Sequence, residues 1–250
     1  MAADGHQLDG KIALVTGAAR RLGRGVALAL ARAGADVLVH YRDSSDDAAE
    51  TARQVALAGR HAWTIPADLA DGDQADSLLP RAIAQAGPVD ILVNNASVFP
   101  SNTVLDFSRD DLLDTVGVNA TAPLMLSRAF AAQGRPGEIV NLLDCRIVDY
   151  DHSHAAYQLS KRMLFSITRM LALELAPDIR VNAVAPGLIL PPAGADDDYL
   201  AARAHTNPLG RVGRVENVQD AVLFLLQCDF VTGQVLYVDG GRHMKGCFYG

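Results

Sequence analysis

Ile12-Ala-Leu-Val-Thr16-Gly17-Ala-Ala-Arg-Arg21-Leu22-Gly23-Arg-Gly25 sets the pattern for the whole chain. Ile12–Thr16 is apolar without alternation, as a strand covered on both faces must be. Glycines then allow a tight turn, and a helical stretch runs from Leu22 to Ala33 with Gly34 just past its end, where a C-cap glycine belongs. A second apolar run, Asp36–His40, follows at once. Strand, glycine turn, helix, strand is the unit from which parallel sheets are built.

The unit recurs. Ala62–Pro66, Val89–Asn94, Glu138–Leu143, Arg180–Ala185 and Val235–Val238 read as further short buried strands. Helical stretches lie at Asp46–Ala58, Asp73–Ala86, Arg109–Gln133, Tyr157–Ala176 and Glu216–Leu226. Gly59 and Gly87 follow helix ends, and Pro177 closes the fifth helix. This alternation predicts an α/β fold: one doubly wound Rossmann-type domain, residues 1–250, on a seven-stranded, mostly parallel sheet. Residues 1–9 carry no periodic pattern and are expected to be flexible. Residues 187–206 break the rhythm with prolines, glycines and an acidic run, and read either as a substrate lid or as a solvated surface loop.

Half of the 250 residues are apolar, enough for a sizeable core, and the net charge is −7 with Lys and Arg scattered. Scattered basic residues argue against a nucleic-acid or anionic-membrane surface, so an anionic ligand would need a local basic pocket. The three cysteines, Cys145, Cys228 and Cys247, lack metal-ligand spacing and suit reduced thiols; no metal site is expected. No signal pattern and no apolar run of membrane-spanning length is present, which points to the cytoplasm.

The glycine turn opens a helix, and a helix N-terminus offers free N–H groups and a favourable dipole to a pyrophosphate. The second strand ends Val39-His40-Tyr41-Arg42-Asp43-Ser44. An enzyme selecting NADH usually places an acidic residue there for the ribose 2′-hydroxyl. Arg42, with Arg21 and Ser44, instead suits a 2′-phosphate through charge-assisted bonds, which favours NADPH. Asp43, one step later, is the residue that opposes this preference. Asp68, after the third strand, suits an adenine amino group or a helix N-cap.

Tyr157-Gln-Leu-Ser-Lys161 puts a phenol and an ammonium four residues apart on one helix face. A neighbouring ammonium favours the phenolate, so the tyrosine pKa is expected to fall toward the range of a proton donor. Asp144 ends the apolar run thirteen residues earlier. Phe99 on its own reads as a core aromatic. Cys145 and Trp63 read as packed, and His152 and His154 as solvent-facing.

These residues resemble the short-chain dehydrogenase/reductase family from the glycine turn to Asp239-Gly-Gly241, with Asn94-Asn-Ala96, Asn119, Tyr157/Lys161 and Pro186-Gly187 matching its motifs. The resemblance implies that Tyr157 gives the proton, that Lys161 binds the nicotinamide ribose, and that Asn119 helps hold a relay water. It extends the cofactor set from Gly17, Arg21 and Gly23 to Leu22, His40, Tyr41, Leu69, Asn95, Ala96, Ser97, Pro186, Gly187 and Leu188. Three departures narrow it. Arg21 stands where the turn has its second glycine, Ser97-Val-Phe99 follows Asn-Asn-Ala, and Asp144 replaces a serine. Together with Phe230-Val-Thr-Gly233 and Asp239-Gly-Gly-Arg-His243, they look like the pteridine reductase branch, which includes bacterial dihydromonapterin (alternative dihydrofolate) reductases. That implies NADPH-dependent reduction of a dihydropterin such as 7,8-dihydromonapterin, dihydrobiopterin or dihydrofolate, with Arg21, Ser97, Phe99, Asp144 and Tyr157 at the pterin. It also implies a homotetramer; the apolar positions Met163, Leu164, Phe165, Ile167 and Met170 fit either such an assembly or a core. Carbonyl or alcohol oxidoreduction is the alternative chemistry. An NADPH-binding sensor without turnover is the non-catalytic alternative.

Overall fold

The computed structural model describes residues 8–150, 152–192, 194 and 196–245. Seven strands, β1 (Ile12–Val15), β2 (Asp36–Tyr41), β3 (Ala62–Pro66), β4 (Ile91–Asn94), β5 (Gly137–Leu142), β6 (Ile179–Pro186) and β7 (Val235–Val238), form one sheet in the order β3-β2-β1-β4-β5-β6-β7. Every pairing among the described residues is parallel, in keeping with the expected parallel sheet. The chain winds outward from β1 in one direction and from β4 in the other, which opens a crevice beyond the carboxyl ends of those two strands.

Parallel strands need crossover helices, and the helices cover both faces. Alternate residues of one strand therefore enter different cores. Leu14, Leu38, Leu92 and Ile139 pack under α3 (Gly72–Ala86), α5 (Ala122–Ala131) and α6 (Ala155–Glu174). Ala13, Val15, Val37 and Val93 pack under α1 (Arg21–Arg32), α2 (Ser45–Leu57) and α8 (Val215–Gln227). Trp63, expected in the core, is only half-buried, because β3 is the sheet edge; it stacks loosely on His61 with ring centroids 6.1 Å apart.

The helix read as continuous from Arg109 to Gln133 is broken. α4 (Arg109–Val116) passes through a π-turn at Gly117–Thr121 before α5 begins. Residues 187–206 contain the short helix α7 (Asp197–Ala201) and a 3₁₀ turn at Ala204–Thr206. A last short helix, α9 (Arg242–Lys245), follows β7. The first seven residues, most of the stretch expected to be flexible, and residues 246–250 with Cys247 lie outside the described residues. Along α6 the apolar positions divide: Leu164 and Ile167 are buried, while Met163 and Met170 face outward.

Candidate active site

Every cofactor residue expected from the first half of the chain, from Gly17 through Arg42 and Asp68 to Ser97, lines one cleft of about 400 Å³ beyond β1 and β4. Its floor is a set of turns pinned together. Thr16 Oγ1 accepts the backbone N–H of Asn95 at 2.9 Å and of Ala96 at 3.0 Å, and Asn95 Nδ2 donates to the Thr16 carbonyl at 2.8 Å. Gly23 is required where it stands. A Cβ on it would lie 2.2 Å from the Gly17 carbonyl oxygen and 2.5 Å from Asn95 Nδ2, so no side chain fits. The bare backbone and the open N-terminus of α1, which lacks a side-chain cap, form a cradle that fits a pyrophosphate.

Three expectations change here. His40 lines the cleft, but both of its ring nitrogens are engaged. Nδ1 accepts the Gly17 N–H at 3.0 Å, which leaves Nε2 to donate to the Ala67 carbonyl at 3.0 Å. Burial drives its pKa down to about 4, so it is a neutral tie between strand ends. Asp68 does not cap a helix; Asp71 does, accepting the Asp73 and Gln74 N–H groups, and Asp68 is left on the cleft wall. Asp43, which opposed the NADPH preference, is paired with Arg42 at 2.6 Å at the cleft mouth. The guanidinium remains on that wall, half exposed.

A second cavity of about 710 Å³ adjoins the first, and Arg21 and Ser97 line both. Asp144, Tyr157, Phe99, Gly187 and Leu188 line it too. Asp144 sits at the N-cap of the 3₁₀ turn Cys145–Val148, with Oδ1 accepting the Arg146 N–H at 2.8 Å. Its other oxygen accepts the Tyr157 hydroxyl at 3.0 Å. Lys161 lines neither cavity wall; it is buried, donates from Nζ to the Leu142 carbonyl at 2.8 Å, and lies 5.7 Å from the Tyr157 ring centroid. Pro186 ends β6 and is not among the residues lining either cavity.

The tyrosine pKa moves opposite to expectation. Burial, and after it the neighbouring Asp144 carboxylate, raise the phenol well above its ordinary value. A phenolate here would be desolvated beside a second anion, and the ammonium does not offset that. Burial also brings Lys161 down to about 8, with Asp144 partly opposing the shift.

Asn119 lies in the π-turn. Its Oδ1 accepts the Val98 N–H at 2.8 Å, and its Nδ2 donates to the Val98 carbonyl and to Ser160 Oγ at 2.9 and 3.0 Å. The side chain thus clamps the loop after β4 onto the Tyr157 helix. Phe99 is not a core residue, being 46% exposed. One of its faces carries His154 (centroids 3.9 Å apart, planes at 15°), and Tyr157 meets it edge-on at 4.5 Å. His154 is therefore not solvent-facing, unlike the exposed His152. Cys145 is buried, and burial pushes its thiol pKa up, which makes it a packing residue.

Residues that sequence reasoning missed come from the remaining walls: Arg146 on the 3₁₀ turn, Tyr199 and Arg203 at and beyond α7, and Arg242 on α9. Only Arg242 falls within a motif stretch, Asp239-Gly-Gly-Arg-His243, and no spacing links the four.

Residues 17–243 match the family model described as enoyl-(acyl carrier protein) reductase, of the short-chain type. An uncharacterised oxidoreductase of Mycobacterium tuberculosis is 38% identical, over 96% of this chain and 95% of that protein. The 2-dehydro-3-deoxy-D-gluconate 5-dehydrogenase of Escherichia coli is 35% identical, over 94% and 96%. The solved structure of FolM alternative dihydrofolate reductase 1 from Brucella canis, complexed with NADP, superposes with a TM-score of 0.88 at 31% identity, over 96% of both chains. On the fold, the paired clefts and these matches, the chain belongs to the short-chain dehydrogenase/reductase family.

Proposed function

We propose that this chain is an NADPH-dependent reductase of a dihydropterin. NADPH is the cofactor: Gly17, Gly23 and the start of α1 hold its pyrophosphate, and Arg42 and Ser44 its 2′-phosphate. When bound, it supplies the hydride.

One observation carries the substrate reading: the Tyr157 hydroxyl donates to the Asp144 carboxylate, 3.0 Å away, beside the cofactor cleft. Reduction of a ketone builds negative charge on the substrate oxygen, and a carboxylate at that place would repel it. A pterin presents ring nitrogens and N–H groups, which a carboxylate can accept from or pass a proton toward. Tyr157 keeps its proton through neutral pH, because its pKa is raised. It is a donor that the Asp144 contact holds in place, with the Lys161 ammonium 5.7 Å from its ring centroid as the neighbouring cation. Phe99, 46% exposed on the cavity wall, suits the flat ring, with stacking worth roughly 0.5–1.5 kcal/mol beyond area burial.

Carbonyl oxidoreduction is the second reading, favoured by the sugar-acid dehydrogenase among the sequence relatives. Oxidation of NADPH with dihydromonapterin, dihydrobiopterin or dihydrofolate tests the first reading, with Tyr157→Phe nearly abolishing turnover. Asp144→Ser separates the two, since a pterin reductase loses activity and a carbonyl reductase keeps or gains it. Ketone reduction by the folded protein without activity on any dihydropterin would overturn the first reading.

A further inference from the structure

The second cavity has an unusual charge for this molecule. The chain as a whole is acidic, at −7, yet among the described residues Arg21, Arg146, Arg203 and Arg242 line this one cavity against a single lining carboxylate, Asp144. That carboxylate accepts the Tyr157 hydroxyl and the Arg146 N–H, and it forms no ion pair with Arg203 or Arg242.

The arginines on that far wall are held in place. Arg203 lies over the Tyr199 ring, its guanidinium carbon 3.6 Å from the centroid, and donates from Nη1 to the Tyr199 carbonyl at 3.0 Å. Its Nε and Nη2 make no hydrogen bond among the described residues. Arg242 sits in the first turn after β7, and that turn is built around Asp239, whose side chain is 2% exposed. Asp239 accepts the Gly241 N–H at 2.9 Å, the His243 N–H at 2.7 Å and His243 Nδ1 at 2.8 Å, while His243 stacks on Tyr237. A buried carboxylate thereby fixes the backbone that presents Arg242. The Arg242 guanidinium itself forms no hydrogen bond or ion pair among the described residues.

We infer that the substrate carries a carboxylate away from its reducible ring, and that Arg242 and Arg203 bind it. This rests on the second cavity being the substrate site, and it narrows the dihydropterin class to members with an acidic side chain. A planar guanidinium pairs with a carboxylate through two parallel N–H···O bonds, and the walls of a cavity screen that pairing less than open water does. A neutral substrate would leave positive charges facing one another across the site. In both readings of the chemistry the carboxylate serves binding, so its effect belongs in KM.

The test uses the chain with NADPH and two matched pairs of probes. One pair is dihydrofolate and its bisamide; the other is 4-formylbenzoate and 4-formylbenzamide. In whichever pair is turned over, the carboxylate member is expected to be favoured about tenfold or more in kcat/KM, through KM, as one charge-assisted bond implies. Arg242→Gln brings the ratio toward one, Arg242→Lys restores part of it, and Arg203→Gln lowers it less. The ratio within each variant is the readout, so a general loss of activity cancels. Equal use of both members by the unmodified protein, or a ratio unmoved by Arg242→Gln, overturns the inference. Carboxylate preference on the aldehyde pair with no turnover of the dihydrofolate pair upholds the arginine wall and overturns the pterin reading. If neither pair is turned over, equal or absent calorimetric binding of both members overturns the inference as well.

Discussion

Arg21 has φ of +54°, the only positive φ at a non-glycine residue among those described. This is the position where the resemblance expected a glycine, and the left-handed conformation costs a residue with a Cβ about 1–2 kcal/mol. The guanidinium explains why an arginine stands there: Nη2 donates to the Pro191 carbonyl, joining the glycine turn to the 187–206 segment where both cavities meet. Arg21→Gly should therefore leave thermal stability within about 1 kcal/mol, as relief of strain offsets the lost bond. It should also raise the substrate KM by about tenfold. Melting curves and steady-state kinetics check this, and an unchanged KM would remove Arg21 from the substrate wall.

At the scale of elements, the β1–α1 turn and the π-turn do the positioning. Gly23 meets the Gly17 carbonyl so closely that the backbone itself would have to move for any Cβ. Gly23→Ala should cost roughly 1–3 kcal/mol of stability and abolish NADPH binding, followed by calorimetry. Tight binding by that variant would mean that the cradle lies elsewhere. The π-turn was not read from the sequence: Gly117 and Pro123 weaken helical propensity locally, but they do not by themselves distinguish a widened turn from a continuous helix. What widens the helix there is a tertiary arrangement, with Asn119 reaching both Val98 and Ser160. The 187–206 segment had two readings. Tyr199 and Leu200 of this segment line the second cavity.

Across the whole molecule, His40 links the glycine turn to the ends of β2 and β3, and its charge state bears on global stability. Its pKa falls from 6.5 to about 4 on folding, so the unfolded chain takes up a proton first as pH drops. The stabilisation from the neutral ring is complete above pH 6.5 and is lost progressively between pH 6.5 and about 4, on the order of 3 kcal/mol in all. Melting temperature should fall across that window, and His40→Asn should flatten the fall while lowering stability at pH 7. An unaltered slope in the variant would assign the acid sensitivity to other groups.

The sequence by itself determined the sheet and the near wall of the site. Buried parallel strands must be apolar on both faces, glycines must stand where backbones touch, and a four-residue spacing must bring Tyr157 and Lys161 to one helix face. Each of these is a local rule, readable from neighbours in the chain. Only the tertiary structure decided the charge and the far wall of the second cavity. Arg21, Arg146, Arg203 and Arg242 are far apart in sequence and share no periodicity, and they converge because four separate connections end at the same side of the sheet. The direction of the tyrosine shift was decided there too. Four-residue spacing placed an ammonium near the phenol, but burial and Asp144 outweigh it, and burial is a property of the whole fold.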